Sequence, residues 1–256
     1  MFTPSFSRNL RRGLFQAGLL AGVAAAAMVP GSARAFQLVP LSQDFEPSGR
    51  GVNQTFEVEN DRDEQVTVTL GMAVRKVDVN GKETLEETED FTLFPTEIIL
   101  QPKTSRVIRA KWIGDPAPKV ELPYRIIAEE TPLHIKRDTP GASVFLTVRY
   151  VGSIYVVPKG VKPDVVVASA KTIAGPQGSQ QLEVILENKG DRHAVLDTPS
   201  LDVTAGGVTK AVDKAAVDAA LTGENILAKN QRRIVLPVPQ GLPAGAINAS
   251  FKYTVQ

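Results

Sequence analysis

Few residues in this sequence are of types that could carry covalent or acid–base chemistry. It has two histidines and no cysteine. His134 follows Pro132 in a polar stretch and His193 follows a charged turn, so both read as exposed loop residues rather than ligands. No glycine-rich phosphate loop follows a strand-like run, and neither HExxH nor GxSxG occurs. The acidic run Glu83-Thr-Leu-Glu-Glu-Thr-Glu-Asp90 lacks the alternating Asp/Asn-Gly pattern of a calcium loop and reads as a solvated edge or hairpin. Without cysteine there is no thiol chemistry, no thiolate metal site and no small disulfide scaffold. The residues predict no catalysis, no metal and no cofactor, which leaves binding.

The N-terminus predicts a compartment. Arg8, Arg11 and Arg12 precede an uncharged stretch of Leu, Ala, Gly and Val that ends near Val29. Ser32-Ala33-Arg34-Ala35 then supplies the small-x-small pattern of a signal-peptidase site. We expect a cleaved signal peptide over 1–35, a mature chain from Phe36 and a periplasmic protein; an uncleaved anchor is the alternative. No later segment approaches the roughly 18 consecutive apolar residues of a spanning helix, so no membrane insertion is expected after signal cleavage. The leader carries four of the 29 basic residues and none of the 28 acidic ones, so the remainder is net −3. That mild, interspersed charge gives no sign of nucleic-acid binding.

The elements that must position any binding surface read as all-β. Short β-branched runs are separated by Gly, Pro, Asn and Asp: Thr55–Glu59, Val66–Leu70, Glu97–Leu100, Arg106–Ile113, Tyr124–Ala128, Val144–Val157, Leu182–Leu186, Arg233–Val238 and Ser250–Val255. Lys210 to Leu221 is Ala-rich and reads as an exposed loop with some helix. The chain also repeats itself. Glu59-Asn60, a charged turn and Val66-Thr-Val68 recur as Glu187-Asn188, a Lys-Gly-Asp-Arg turn and Ala194-Val-Leu196. Ile99-Leu100 with Arg106-Val-Ile recurs as Ile226-Leu227 with Arg233-Ile-Val. A repeat of this length is too long for a solenoid unit and predicts two copies of one β-sandwich. We expect one domain over 36–157, a stiff linker at 158–163 bounded by Pro158 and Pro163, and a second domain over 164–256. A short linker implies a fixed angle and a cleft between two immunoglobulin-like sandwiches.

An ordered series of motifs then carries a resemblance: Phe56-Glu-Val-Glu-Asn60, Phe94-Pro95, Ile98-Ile-Leu-Gln-Pro102, Arg106-Val-Ile-Arg109, Gly114-Asp115-Pro116, Tyr124-Arg125 and Glu129-Glu-Thr-Pro132. This resembles the N-terminal domain of the PapD-like periplasmic pilus chaperones of the chaperone–usher pathway. Trp112-Ile-Gly-Asp115 and Tyr124-Arg125 are most like the archaic, alternative branch. The resemblance implies a protein that binds pilus subunits and hands them to an outer-membrane usher. In that family the chaperone supplies its G1 strand to a subunit that lacks its own last strand, a form of β-augmentation.

From Val144 the alternation places Val144, Leu146, Val148 and Tyr150 on one face, the candidate donor face, and Phe145, Thr147, Arg149 and Val151 on the other. The competing reading buries both faces in the domain's own core. Family members anchor the subunit's C-terminal carboxylate with an Arg in the first strand and a Lys in G1. Here the first strand, Phe36 to Phe45, has no basic residue, and the Lys position falls at about Ser153. Arg is the best partner for a carboxylate because its fork binds both oxygens. Arg125 is the first candidate anchor, with Arg109 and Lys111 behind it. Two other readings stay open: a pilus or adhesin subunit, and a carbohydrate-binding β-sandwich, although one Trp and four Tyr are few for the latter.

Overall fold

A computed structural model describes residues 36–131 and 147–255. The expected signal peptide, His134, and Val144 and Leu146 of the expected donor face lie outside the described residues. The first half forms β1 (Phe36–Val39), β2 (Ser42–Phe45), β3 (Asn53–Asn60), β4 (Val66–Val77), β5 (Glu83–Glu87), β6 (Phe91–Phe94), β7 (Glu97–Leu100), β8 (Ser105–Trp112), β9 (Leu122–Thr131) and β10 (Arg149–Val156). One sheet has the order β1-β3-β8-β6; the facing sheet runs β2-β10-β9-β4-β5, with β7 also paired to β4. The segment expected as a single first strand is divided between the two sheets. β1 runs antiparallel to β3 and β2 runs parallel to β10. Pro40 stands at the crossing, where its missing N–H would break a ladder.

Alternation decides what fills the space between the sheets. Phe56 and Val58 of β3, Ile108 and Ala110 of β8, Ile126 and Ala128 of β9, and Ile154 and Val156 of β10 all point inward and are buried. Phe91 sits at the centre of an aromatic cluster, edge-on to Phe45, Trp112 and Tyr124 at centroid distances of 5.2, 5.0 and 5.0 Å. Each large side chain fully buried here contributes roughly 1.5–3 kcal/mol against the entropy of ordering the chain.

The second half forms β11 (Val165–Ala174), β12 (Gln180–Asn188), β13 (Ala194–Ala205), β14 (Val208–Ala211), α1 (Lys214–Leu221), β15 (Asn225–Ile226), β16 (Gln231–Pro237) and β17 (Asn248–Val255). One sheet runs β11-β12-β16; in the other, β13 pairs with β14, β15 and β17. Leu182, Val184, Leu186, Leu196, Val203 and Leu236 form a second core. The stretch expected as an exposed loop with some helix is a short strand and an eight-residue helix, packed on the sandwich rather than left exposed. Asp213 caps the helix, its Oδ1 accepting from the Ala216 N–H at 2.9 Å. Val217 and Leu221, four residues apart on one face, are both buried and fasten it to the sandwich.

The sequence repeat has a structural counterpart. The Asn60 Nδ2 donates to the carbonyls of Glu64 (2.8 Å), Leu100 (3.3 Å) and Gln101 (3.1 Å), while its Oδ1 accepts from the Arg62 N–H at 3.0 Å. Asn188 repeats the arrangement, donating to the carbonyls of Arg192 (2.7 Å) and Ile226 (3.0 Å) and accepting from the Gly190 and Asp164 N–H groups, each at 3.0 Å. Both side chains are fully buried. Each bonds backbone groups of the turn and the neighbouring strand end, which an apolar residue at that position could not do.

Candidate functional site

Two features meet on β10. The first is an open edge. β10 pairs with β9 along all of Arg149–Val156, but on its other side β2 runs beside only Ser153–Val156. Among the described residues, no strand flanks Arg149–Gly152 on that side. Val148 and Tyr150 of the expected donor face are described. They share the inward face with Ile154 and Val156, are half-buried, and pack against the first core; Tyr150 lies edge-on to Phe36 at 5.0 Å. Arg149 and Val151 point outward, with the Arg149 Nε 3.5 Å from Glu129. Gly152 has no room for a side chain: a Cβ there would lie 2.7 Å from Ile126 and 3.0 Å from the Leu41 carbonyl oxygen.

The second feature is a carboxylate held by two arginines on the outer face of the same sheet. Arg125 on β9 stands opposite Ser153 of β10 on one side and Ala73 of β4 on the other. Arg75 lies two residues beyond Ala73 and so faces the same way. The Arg125 Nε donates to Glu83 Oε1 at 3.0 Å and its Nη2 to Glu83 Oε2 at 2.7 Å, a two-pronged contact. The Arg75 Nε adds a third bond to Glu83 Oε2 at 2.7 Å. Arg125 Nη1 also donates to the Ser153 hydroxyl, and Arg75 Nη1 to the Tyr155 hydroxyl at 3.2 Å. The arginine side chains are 10% (Arg75) and 16% (Arg125) exposed, while Glu83 keeps 27%, so the cations are deeper than the anion. Partial burial opposes the charge on Glu83. The hydrogen bonds and charge of Arg125, with those of Arg75, outweigh it and hold the Glu83 carboxyl below the ordinary carboxylate value.

Of the three sequence-selected cations, only Arg125 is here. Arg109 and Lys111 lie on β8, in the facing sheet, and point to solvent from its outer side, so they do not converge with Arg125. The guanidinium of Arg125 instead reaches Ser153, the position that the resemblance assigns to the G1 lysine. The sequence reading missed Arg75 and Glu83. Arg75 lies in the continuation of the strand expected over Val66–Leu70, and Glu83 opens the acidic run expected as a solvated edge or hairpin, which is the edge strand β5. Glu86 and Glu87 of that run are exposed, but Asp90 accepts a 2.7 Å bond from the Tyr124 hydroxyl.

Beyond Ser153, β10 runs into the junction of the two sandwiches. There His193 corrects the expectation of an exposed loop residue. Its ring stacks on Tyr155 at a 4.0 Å centroid distance and an 11° angle, and its Nδ1 lies 2.7 Å from Glu121 Oε1, which also accepts from the His193 N–H at 3.1 Å. The Glu121 side chain is almost fully buried. Arg192 Nη2 donates to Asp44 at 3.1 Å, and burial pushes the Asp44 carboxyl up against that pull. The Asn225 Nδ2 donates to the Tyr155 hydroxyl at 2.7 Å, joining the junction to the Arg75 side of the carboxylate site.

No family model and no curated protein matches the sequence. Solved structures do match over nearly its whole length. A chain of the CsuC–CsuE chaperone–tip adhesion subunit pre-assembly complex, from archaic chaperone-usher Csu pili of Acinetobacter baumannii, is 15% identical with a TM-score of 0.55, covering 86% of this chain and 97% of that one. The class 5 fimbriae chaperone CfaA is 15% identical with a TM-score of 0.53, covering 87% of this chain and 100% of its own. A chain of the chaperone–tip adhesin complex of CFA/I fimbriae biogenesis is also 15% identical, with a TM-score of 0.54, covering 85% of this chain and 98% of that one. This chain therefore has the two-sandwich β fold of these fimbrial chaperone structures.

Proposed function

We propose that this protein is a periplasmic chaperone for pilus subunits that works by donor-strand complementation and passes its subunit to an outer-membrane usher. The observation that carries this reading is the pairing of an open β10 edge with a carboxylate-binding arginine pair beside the same strand. An incomplete sandwich offers an exposed edge and an apolar groove. Backbone bonding to Arg149–Gly152, and the alternate side chains Val144 and Leu146 with the solvent-facing parts of Val148 and Tyr150, would satisfy both. The subunit's C-terminal carboxylate would be taken by Arg125, whose fork can bind both oxygens and whose second prong already stands against β10. Arg109 and Lys111, on the opposite sheet, are left to other contacts. In this reading residues 1–35 are the export signal, 36–157 and 164–256 are the two domains, and 158–163 is the linker. The whole-length likeness to fimbrial chaperones supports the assignment over a subunit or glycan-binding role.

The test is co-purification from a periplasm with a candidate pilin subunit, comparing wild type with Leu146→Glu and Arg125→Ala. A carboxylate on the donor face should abolish the complex and leave the free protein folded, because an apolar groove cannot solvate a charge. Arg125→Ala should weaken it. Full retention of the subunit by Leu146→Glu would rule out this donor face.

A further inference from the structure

Resting on that reading, we infer that Glu83 is a resident substitute for the incoming carboxylate: in the free protein it occupies the Arg125–Arg75 receptor, and it must leave for a subunit's chain end to bind. Three N–H groups from two arginines converge on its two oxygens, at 3.0, 2.7 and 2.7 Å. That is a complete recognition site for one free carboxylate, and nothing in the contact is particular to a glutamate.

The depth of the cations explains why a resident is needed. Two guanidinium groups this shielded from solvent, side by side, would repel each other and lack counter-charge if the site stood empty between subunits. The anion is the shallowest of the three and can move to water by rotating its side chain, with no rearrangement of the sheet. The backbone that carries it is held. Glu83 opens β5, and the turn before it is fastened to the second sandwich, with the Arg233 N–H donating to Val79 O at 2.7 Å and the Asn230 Nδ2 to Val77 O at 2.8 Å. Gly81 in that turn lies so close against the Arg232 guanidinium that a Cβ would overlap it. Release is therefore a rotamer exchange at one residue. A cavity of about 240 Å³ adjoins Arg75 and is lined by Val77, Gly81, Asn225 and Arg232, leaving space beside the receptor at the sandwich junction.

The experiment measures binding of an acetylated, alternating Val/Thr heptapeptide made in two forms, ending in a free carboxylate or in a carboxamide, to the mature wild-type protein and to Glu83→Gln. The glutamine keeps the shape of the resident but not its charge. We expect the acid to bind more tightly than the amide, and Glu83→Gln to tighten the acid alone by roughly tenfold, the factor expected when a resident leaves the receptor open in about one molecule in ten. Acid preference in wild type with no gain in Glu83→Gln would overturn the substitution and leave the carboxylate anchor standing. Equal binding of acid and amide by both proteins would overturn the anchor and this inference together. Glu83→Ala provides a check that does not need the peptide: acetate, but not chloride at equal ionic strength, should raise its Tm while leaving wild type unmoved. The absence of that rise would also overturn the inference.

Discussion

The two copies of the asparagine turn make the most informative comparison in the molecule. Asn60 and Asn188 are both buried at the end of a strand and both satisfy turn carbonyls, including one at the equivalent hairpin, Leu100 O and Ile226 O. The residues just beyond them diverge. After Asn60, Arg62 reaches back into its own sandwich and grips both oxygens of Glu130 at 2.6 and 2.8 Å. After Asn188, Arg192 and His193 reach across to Asp44, Glu121 and Tyr155 of the first sandwich. The same local solution has been kept for folding in both places, and one copy also serves as the joint. A turn whose backbone is already satisfied internally leaves its neighbouring side chains available for other work.

Substitutions can break this comparison, and the largest effect is expected where the copies agree. Asn60→Ala and Asn188→Ala should each destabilise the sandwich that contains it by about 3 kcal/mol, because buried carbonyls are left without donors. Urea unfolding followed separately in the two halves checks this, and a cost in only one copy would break the equivalence. Next in size is Glu121→Ala, which removes both hydrogen bonds to His193 and should cost about 2 kcal/mol. Its loss should appear as uncoupled unfolding of the sandwiches, with each core's own stability retained. Arg62→Ala should cost about 1 kcal/mol, confined to the first sandwich, since a partly exposed two-pronged pair contributes modestly. If Arg62→Ala also uncoupled the sandwiches, the division between an inward turn and a joining turn would fail.

The smallest expected effect is a pH dependence. The Glu83 carboxyl is held below its ordinary value in the folded protein, so its contribution to stability is present above the unfolded carboxyl value and is lost as pH falls through the folded one. Glu83→Gln should lower the neutral plateau of a Tm-against-pH curve and flatten its acid limb, while leaving Tm at low pH, where the wild-type carboxyl is protonated, nearly unchanged. An acid limb identical to wild type would mean that the arginine pair does not hold the carboxylate.

Period-two alternation made the strands legible, since it is a local property of the chain. Glu97–Leu100 matches β7 residue for residue, and Arg106–Ile113 differs from β8 by one residue at each end. The asparagine repeat was legible for the same reason: a turn and its flanking strands are contiguous. The helix at Lys214–Leu221 was under-read because eight residues with two buried side chains give a weak amphipathic signal; its stability comes from the sandwich that buries Val217 and Leu221.

Composition and pattern alone determined that this is an all-β chain without thiol chemistry, built from two related halves; the family resemblance made Arg125 the first candidate for a carboxylate anchor. Only the tertiary structure decided what surrounds that arginine. Arg75, Glu83, Arg125 and Ser153 lie on β4, β5, β9 and β10, and they meet because sheet order sets those strands side by side and register aligns their outward faces. The structure also separated Arg109 and Lys111 from Arg125 by a whole sandwich and turned His193 from the expected loop into part of the joint. Alternation says which way a side chain points relative to its own strand. Which strands are neighbours is a property of long-range pairing that no local pattern encodes.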